Sequence, residues 1–167
     1  GGALYGTDLQ AFSRVIEEVR GKTAKPVIPK LAPNVSNIAL FAKAAEDRGA
    51  DAISIMNSFP AMAINIETRK PELANRTGGL SGPAIKPIAI KLVWEAARAV
   101  TIPIIGMGGI HCPEDAIEFI IAGAAAVAVG TANFTDPSTA IRVIEGIEAY
   151  LIRHGIASVD DLRGTVC

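Results

Sequence analysis

Aromatic residues are scarce in this chain of 167 residues: one Trp, two Tyr and five Phe. A surface that grips single-stranded nucleic acid needs stacking platforms, and so few rings do not build one. An excess of charge of one sign is lacking too, with 16 Lys plus Arg against 17 Asp plus Glu. No global field therefore draws the chain to nucleic acid or to an anionic membrane surface. No apolar run approaches the ~18–20 residues needed to cross a bilayer, which argues against a membrane span, and no signal-peptide pattern is visible. The only cysteines, Cys112 and Cys167, make no disulfide framework and fit a reducing cytoplasm. No His/Cys/Asp cluster has ligand spacing, so a metal site is not expected. Low-complexity segments and linkers are missing as well, and residues 1–167 read as a single domain.

What is present is core material: half the residues are apolar and a fifth charged. Asp8 reads as the N-cap of a helix through Phe12, Val15, Ile16 and Val19 to Gly21. Pro26 to Leu31 reads as a buried parallel strand in spite of Pro29. Ser36 is placed to cap a helix over Ile38, Phe41, Ala42 and Ala45 that ends at Gly49. A strand over Ala52 to Met56 follows, then a long excursion from Asn57 to Pro83, too long for an ordinary loop and hence functional in character. Within it Ala63 to Ile66 and Glu72 to Ala74 are expected to pair. Helical spacing returns over Ala84 to Val100, then a strand over Ile102 to Met107, a helix over Pro113 to Ile121, a strand over Ala125 to Val129 and a helix over Pro137 to Arg153. One more turn is expected over Ser158 to Arg163. Strand–helix alternation implies an α/β fold with a parallel sheet. Four strands are half of a (β/α)8 TIM barrel. Such a half alone would leave two bare strand edges and an uncovered inner face, so the expectation is about four βα units that are a fragment of a barrel or are completed by a second half.

Two Gly turns stand out, Ile104-Ile105-Gly106-Met107-Gly108-Gly109-Ile110 and Val127-Ala128-Val129-Gly130-Thr131-Ala132. Each closes a short apolar run and is expected to open a helix. A barrel uses this arrangement after its last two strands to hold a phosphate on uncrowded backbone N–H groups. Since barrel active sites sit at the carboxyl ends of strands, the same rule selects Lys30 with Asn34, Asn57 with Ser58, and the loop Gly78-Gly79-Leu80-Ser81-Gly82. Lys30 needs an anionic partner, which a ligand supplies, or it snorkels to the rim. Asn57 offers donor and acceptor together, suited to a ring with N–H and C=O groups, although a lone Asn also caps turns. The Gly-rich loop lets backbone approach a flat ligand, or is a plain turn. His111 and Cys112 suggest a base and nucleophile, but neighbours at a helix entry seldom face each other, and the thiol reads as structural. The acidic residues lie mainly on helices and read as solvated faces.

Taken in order, Lys30-Leu31-Ala32-Pro33-Asn34-Val35, Ile55-Met56-Asn57-Ser58, Thr68-Arg69-Lys70-Pro71, the run from Thr77 to Pro87 and the two Gly turns closely resemble the class 1 dihydroorotate dehydrogenases. They are most similar to the class 1B catalytic subunit, which passes electrons to NAD through a partner subunit. The resemblance implies an FMN-containing barrel that oxidises dihydroorotate to orotate in cytoplasmic pyrimidine biosynthesis. It implies a homo-oligomer of the complete subunit and a partner carrying FAD and an iron–sulfur cluster. By position it places Lys30 near the flavin N1 and O2, Met56 and Gly82 against the flavin, and Asn57 and Ser58 on the pyrimidine. Gly108, Gly109, Gly130 and Thr131 would take the FMN phosphate.

One departure matters. The family's catalytic base is a Cys in an Asn-x-Ser-Cys-Pro-Asn motif just before the segment that resembles Gly1 to Asp8, and these 167 residues do not contain it. The expectation is therefore a chain with no catalytic base of its own, inactive alone. Ala32 and Ser58 replace the commoner Ser and Thr. Two other readings stay open: a dihydropyrimidine dehydrogenase-like flavin domain, and a non-catalytic half-barrel that binds FMN or another phosphate.

Overall fold

The computed structural model describes residues 3–166; Gly1, Gly2 and Cys167 lie outside the described residues. A short helix α1 (Ala3–Thr7), for which the sequence carried no clear periodicity, leads into α2 (Leu9–Arg20). Asp8 caps α2 as expected, its extended backbone letting Oδ1 accept the Ala11 N–H at 2.7 Å. Such a cap stabilises by roughly 1 kcal/mol. Phe12 and Ile16, one turn apart, bury the inner face of α2, and Phe12 meets Phe41 edge-on at 5.4 Å between ring centroids.

The first strand, β1, is Lys30–Leu31 alone. The expected strand from Pro26 is shortened because Pro26 and Pro29 have no N–H to donate. The segment still runs beside its neighbour: Ser54 N–H donates to Pro29 O at 3.0 Å, and the Asp51 carboxylate accepts the Val27 N–H at 2.7 Å. Helix α3 (Ile38–Asp47) is capped by Asn37, whose Oδ1 accepts the Ala39 N–H, and not by Ser36 one residue earlier. Then come β2 (Ile53–Ile55) and the excursion, which carries β3 (Phe59–Ala61), β4 (Ile64–Asn65), β5 (Lys70–Pro71) and β6 (Gly78–Leu80). The chain continues through α4 (Lys86–Ala97), β7 (Ile104–Met107), α5 (Pro113–Ala122), β8 (Ala126–Ala128), the four-residue α6 (Ala132–Thr135), α7 (Thr139–His154) and α8 (Val159–Leu162).

The main sheet is parallel throughout, in the order β1-β2-β7-β8, with Lys30 opposite Ser54, Ile53 opposite Ile104 and Ile105 opposite Ala126. This is the α/β alternation that the sequence implies. Helices α3, α4 and α5 pack on it, and Leu31, Ile38, Ile53, Ile55, Val93 and Phe119 are fully buried between the layers. Strands β1 and β8 are its edges.

The excursion is a nested pair of antiparallel ribbons. β3 pairs with β6, Phe59 opposite Leu80, and encloses β4 paired with β5, Ile64 opposite Pro71. The inner arm is Lys70–Pro71 and not the expected Glu72 to Ala74, of which Glu72 joins the pairing by donating its N–H to Ala63 O at 2.9 Å. Asn65 sets this register: its side chain accepts the N–H groups of Glu67 and Thr68 at 3.1 and 2.9 Å, which tightens the tip. Nesting brings the end of the excursion back over its start. Gly79 then lies so close to Ser58 that any side chain at position 79 would collide with it.

Candidate active site

Parallel strands aim their carboxyl ends at one face, and all four do so here. Lys30 comes from β1. Met56, Asn57 and Ser58 follow β2, Gly108 and Gly109 follow β7, Gly130 and Thr131 follow β8, and Gly82 closes the excursion. These nine candidate residues all line one cavity of about 450 Å³, a size ordinary for a small-molecule site. A second cavity of about 550 Å³ shares Lys30, Asn57 and Ser58 with it and adds Tyr5 and Asn34. Met56 is buried, whereas Lys30, Asn57, Ser58 and Thr131 are exposed at the cavity wall.

The chemistry of the wall is one-sided. Lys30 and His111 line the cavity and no Asp or Glu does. Among the described residues Lys30 has no carboxylate partner, so its charge is available to a ligand. The N–H groups of Gly108, Gly109, Gly130 and Thr131 meet no backbone carbonyl among the described residues, which leaves four donors at the wall. Gly109 adopts φ +85°, and a Cβ there would stand 2.9 Å from both Gly82 O and Lys86 N. Only Gly lets the chain turn this tightly against its neighbour. Gly130 differs, with nothing within 4 Å of where a Cβ would go. A cation, a set of free N–H donors and a carboxylate-free wall fit a phosphorylated cofactor with an anionic ring system.

Both Gly turns lead into helices, as expected, but the second opens only a short one. Ile110, His111 and Cys112 separate Gly109 from Pro113, the first residue of α5, and Thr131 precedes only the short α6. Individual N–H groups, not a long helix dipole, are the donors. Ser81, considered only as part of a flexible loop, accepts a hydrogen bond from Thr131 Oγ1 at 2.8 Å and so joins the excursion to β8. His111, paired with Cys112 in the sequence as a candidate base, is exposed and lines the cavity. Its place just beyond a strand end was the available signal.

Cys112 sits at the entry to α5, where burial pushes its thiol above the ordinary range. That is the structural thiol expected from the sequence. Asp115 departs from expectation, being buried and not on a solvated face. Burial opposes its charge, but hydrogen bonds from Lys86 Nζ and the N–H groups of His111 and Cys112 prevail and hold the carboxyl below its ordinary value. Among the described residues no cluster of three His, Cys, Asp or Glu is arranged to hold a metal ion.

A family model described as dihydroorotate dehydrogenase matches residues 1–151. The chain belongs to the dihydroorotate dehydrogenase family. That family is flavin-dependent. Its curated relatives include the catalytic subunit of dihydroorotate dehydrogenase B (NAD(+)) from Geotalea uraniireducens, 54% identical over 166 residues that make up 99% of this chain and 54% of the relative. The same subunit from Thermoanaerobacter sp. is 52% identical over 99% of this chain and 55% of its own length. The chain spans about half the length of the curated relatives it matches. A crystal structure of DHODH from Eimeria tenella, in complex with ferulenol, superposes with a TM-score of 0.79 at 25% identity, over 95% of this chain and 48% of that one. No helix among the described residues is long and apolar enough to cross a membrane.

Proposed function

We propose that this chain is the FMN-binding and part of the pyrimidine-binding half of a dihydroorotate dehydrogenase that oxidises dihydroorotate to orotate in pyrimidine biosynthesis. The observation that carries the reading is the convergence of four strand ends on one carboxylate-free cavity with a free lysine and four unbonded N–H groups. Bound FMN supplies the two-electron acceptor. Gly108, Gly109, Gly130 and Thr131 donate to its phosphate. Lys30 holds positive charge beside the ring, where negative charge grows on reduction. Met56 and Gly82 pack against the ring plane. Asn57 and Ser58 orient the pyrimidine, a task for which an amide and a hydroxyl offer both donor and acceptor. No base is assigned among the described residues; Cys112 sits at the entry to α5 and does not line the cavity.

The same reading makes residues 1–167 one domain and the C-terminal half of a (β/α)8 barrel. Supporting it are the four parallel strands with β1 and β8 as edges, and the exposed Val15 and Val19 on α2 and Ile141 and Ile144 on α7. It also includes a homo-oligomer, an electron-transfer partner subunit with FAD and an iron–sulfur cluster, and a cytoplasmic location. The test is a flavin titration of the purified chain, with heat release to identify the flavin. Uptake of one FMN supports the reading, and no uptake of added FMN overturns it.

A further inference from the structure

The buried Asp115 stands behind the cavity, not in its wall. Its Oδ1 accepts from Lys86 Nζ at 2.6 Å, and its Oδ2 accepts the main-chain N–H groups of His111 and Cys112 at 2.8 and 3.1 Å. Those two N–H groups belong to the segment that carries Gly108 and Gly109 from β7 to α5. Lys86 is the first residue of α4 and forms the floor under Gly109: a Cβ at Gly109 would stand 2.8 Å from Lys86 Cβ and 2.9 Å from Lys86 N. One carboxylate therefore grips both sides of the turn. A helix cap alone requires only the N–H bonds; the Lys86 contact ties the cap to the residue on which Gly109 rests.

We propose that Asp115 is a positioning residue, bridging Lys86 to the His111–Cys112 main chain so that the Gly108 and Gly109 N–H groups are held in register to receive a phosphate. The inference rests on the reading of those glycines as a phosphate site. An Asn at this position keeps one acceptor oxygen but presents an NH₂ donor where a second acceptor is needed. The effect is confined to one end of the ligand: the turn loosens under the phosphate, while Lys30 and Asn57 at the other strand ends are untouched.

FMN and riboflavin share a ring system and differ by the phosphate, so their affinities for the full chain separate the two ends. They are to be titrated by flavin fluorescence against the unsubstituted chain, Asp115→Asn, Lys86→Met and Glu118→Gln. The ratio of FMN to riboflavin affinity falls about tenfold in Asp115→Asn and in Lys86→Met, the scale of one misaligned charge-assisted hydrogen bond. It is unchanged in Glu118→Gln, which loses the other ion pair of Lys86 but no contact to the turn. An Asp115→Asn chain that keeps the ratio, or loses both ligands in parallel, overturns the proposal, since parallel loss is what a merely structural role produces. Should Asp115→Asn fail to fold, an unchanged ratio in Lys86→Met overturns it instead. An unsubstituted chain without preference for FMN over riboflavin overturns the phosphate reading, and this inference with it.

Discussion

Alanine at Gly130 and alanine at Gly109 are expected to act alike on phosphate binding and in opposite directions on the fold. At Gly130 an added Cβ meets nothing within 4 Å, and the backbone is not left-handed. Replacing Gly where the backbone already suits Ala stabilises by about 0.4–1 kcal/mol through the unfolded chain, or roughly 1–4 °C at this chain length. Gly130 nevertheless lines the cavity, where added bulk is expected to compete with a bound phosphate. At Gly109 the backbone has φ +85°, and the methyl would stand 2.8–2.9 Å from Lys86 Cβ, Lys86 N and Gly82 O. A left-handed Ala costs about 1–2 kcal/mol and overpacking about 1–3 kcal/mol. Together these lower the melting temperature by roughly 4–20 °C. Thermal melting by circular dichroism and FMN titration on the same samples decide the matter. Both variants should bind FMN more weakly, with Gly130→Ala melting at or above the parent and Gly109→Ala well below it. A Gly130→Ala chain with undiminished FMN affinity would refute the assignment of that turn to the phosphate. A Gly109→Ala chain that melts like the parent would refute the steric argument.

Lys30→Ala in the complete enzyme is expected to slow flavin reduction by dihydroorotate in stopped-flow absorbance while leaving the melting temperature close to that of the parent, because the exposed Lys30 has no ion-pair partner among the described residues to lose; normal reduction with a collapsed melting temperature would count against its role. Glu46 accepts from Lys43 Nζ at 2.9 Å and from Thr101 Oγ1 and N at 2.7 Å, and these bonds lower its pKa from 4.5 to about 2. A folded value below the unfolded one stabilises above pH 4.5 and is lost as pH falls towards 2. The melting temperatures of Glu46→Gln and parent should accordingly converge across that window, and a constant gap would contradict it. Phe119 is fully buried, against Gly106 of β7. Phe119→Ala should cost about 3–5 kcal/mol in denaturant unfolding, and a cost below about 1 kcal/mol would mean that the layers close over the void.

Much of this architecture could be read from the residues, for reasons that differ by element. Helices α2, α3, α4, α5 and α7 have apolar faces wide enough to declare themselves, and Asp8 marks its cap without ambiguity. Strand β1 was overread because a run of apolar residues says nothing about which N–H groups exist, and Pro26 and Pro29 remove two. Ser36 and Asn37 are both good caps, and only the chain direction leaving Val35 chooses between them. The outer ribbon, β3 with β6, was not legible because Gly78 and Gly79 carry no strand propensity; they fit there because a side chain at Gly79 would collide with Ser58 and one at Gly78 with Leu73. The nine candidate residues meet at one cavity because strand ends are predictable even when strand lengths are not. Asp115 could not, since its burial depends on Lys86, 29 positions away.

The cavity draws its wall from all four strands of the parallel sheet. Any molecule held there acts as a cross-brace, because pulling one strand out of register breaks contacts that the ligand makes with the other three. Occupancy and sheet integrity then become one equilibrium. A ligand at a hundred times its dissociation constant adds about 2.7 kcal/mol to the folded state, an appreciable fraction of what holds an ordinary domain together. Two strand edges that are vulnerable in the bare sheet are thereby tied to its interior from above, and a ligand bound there would be a structural member of the sheet.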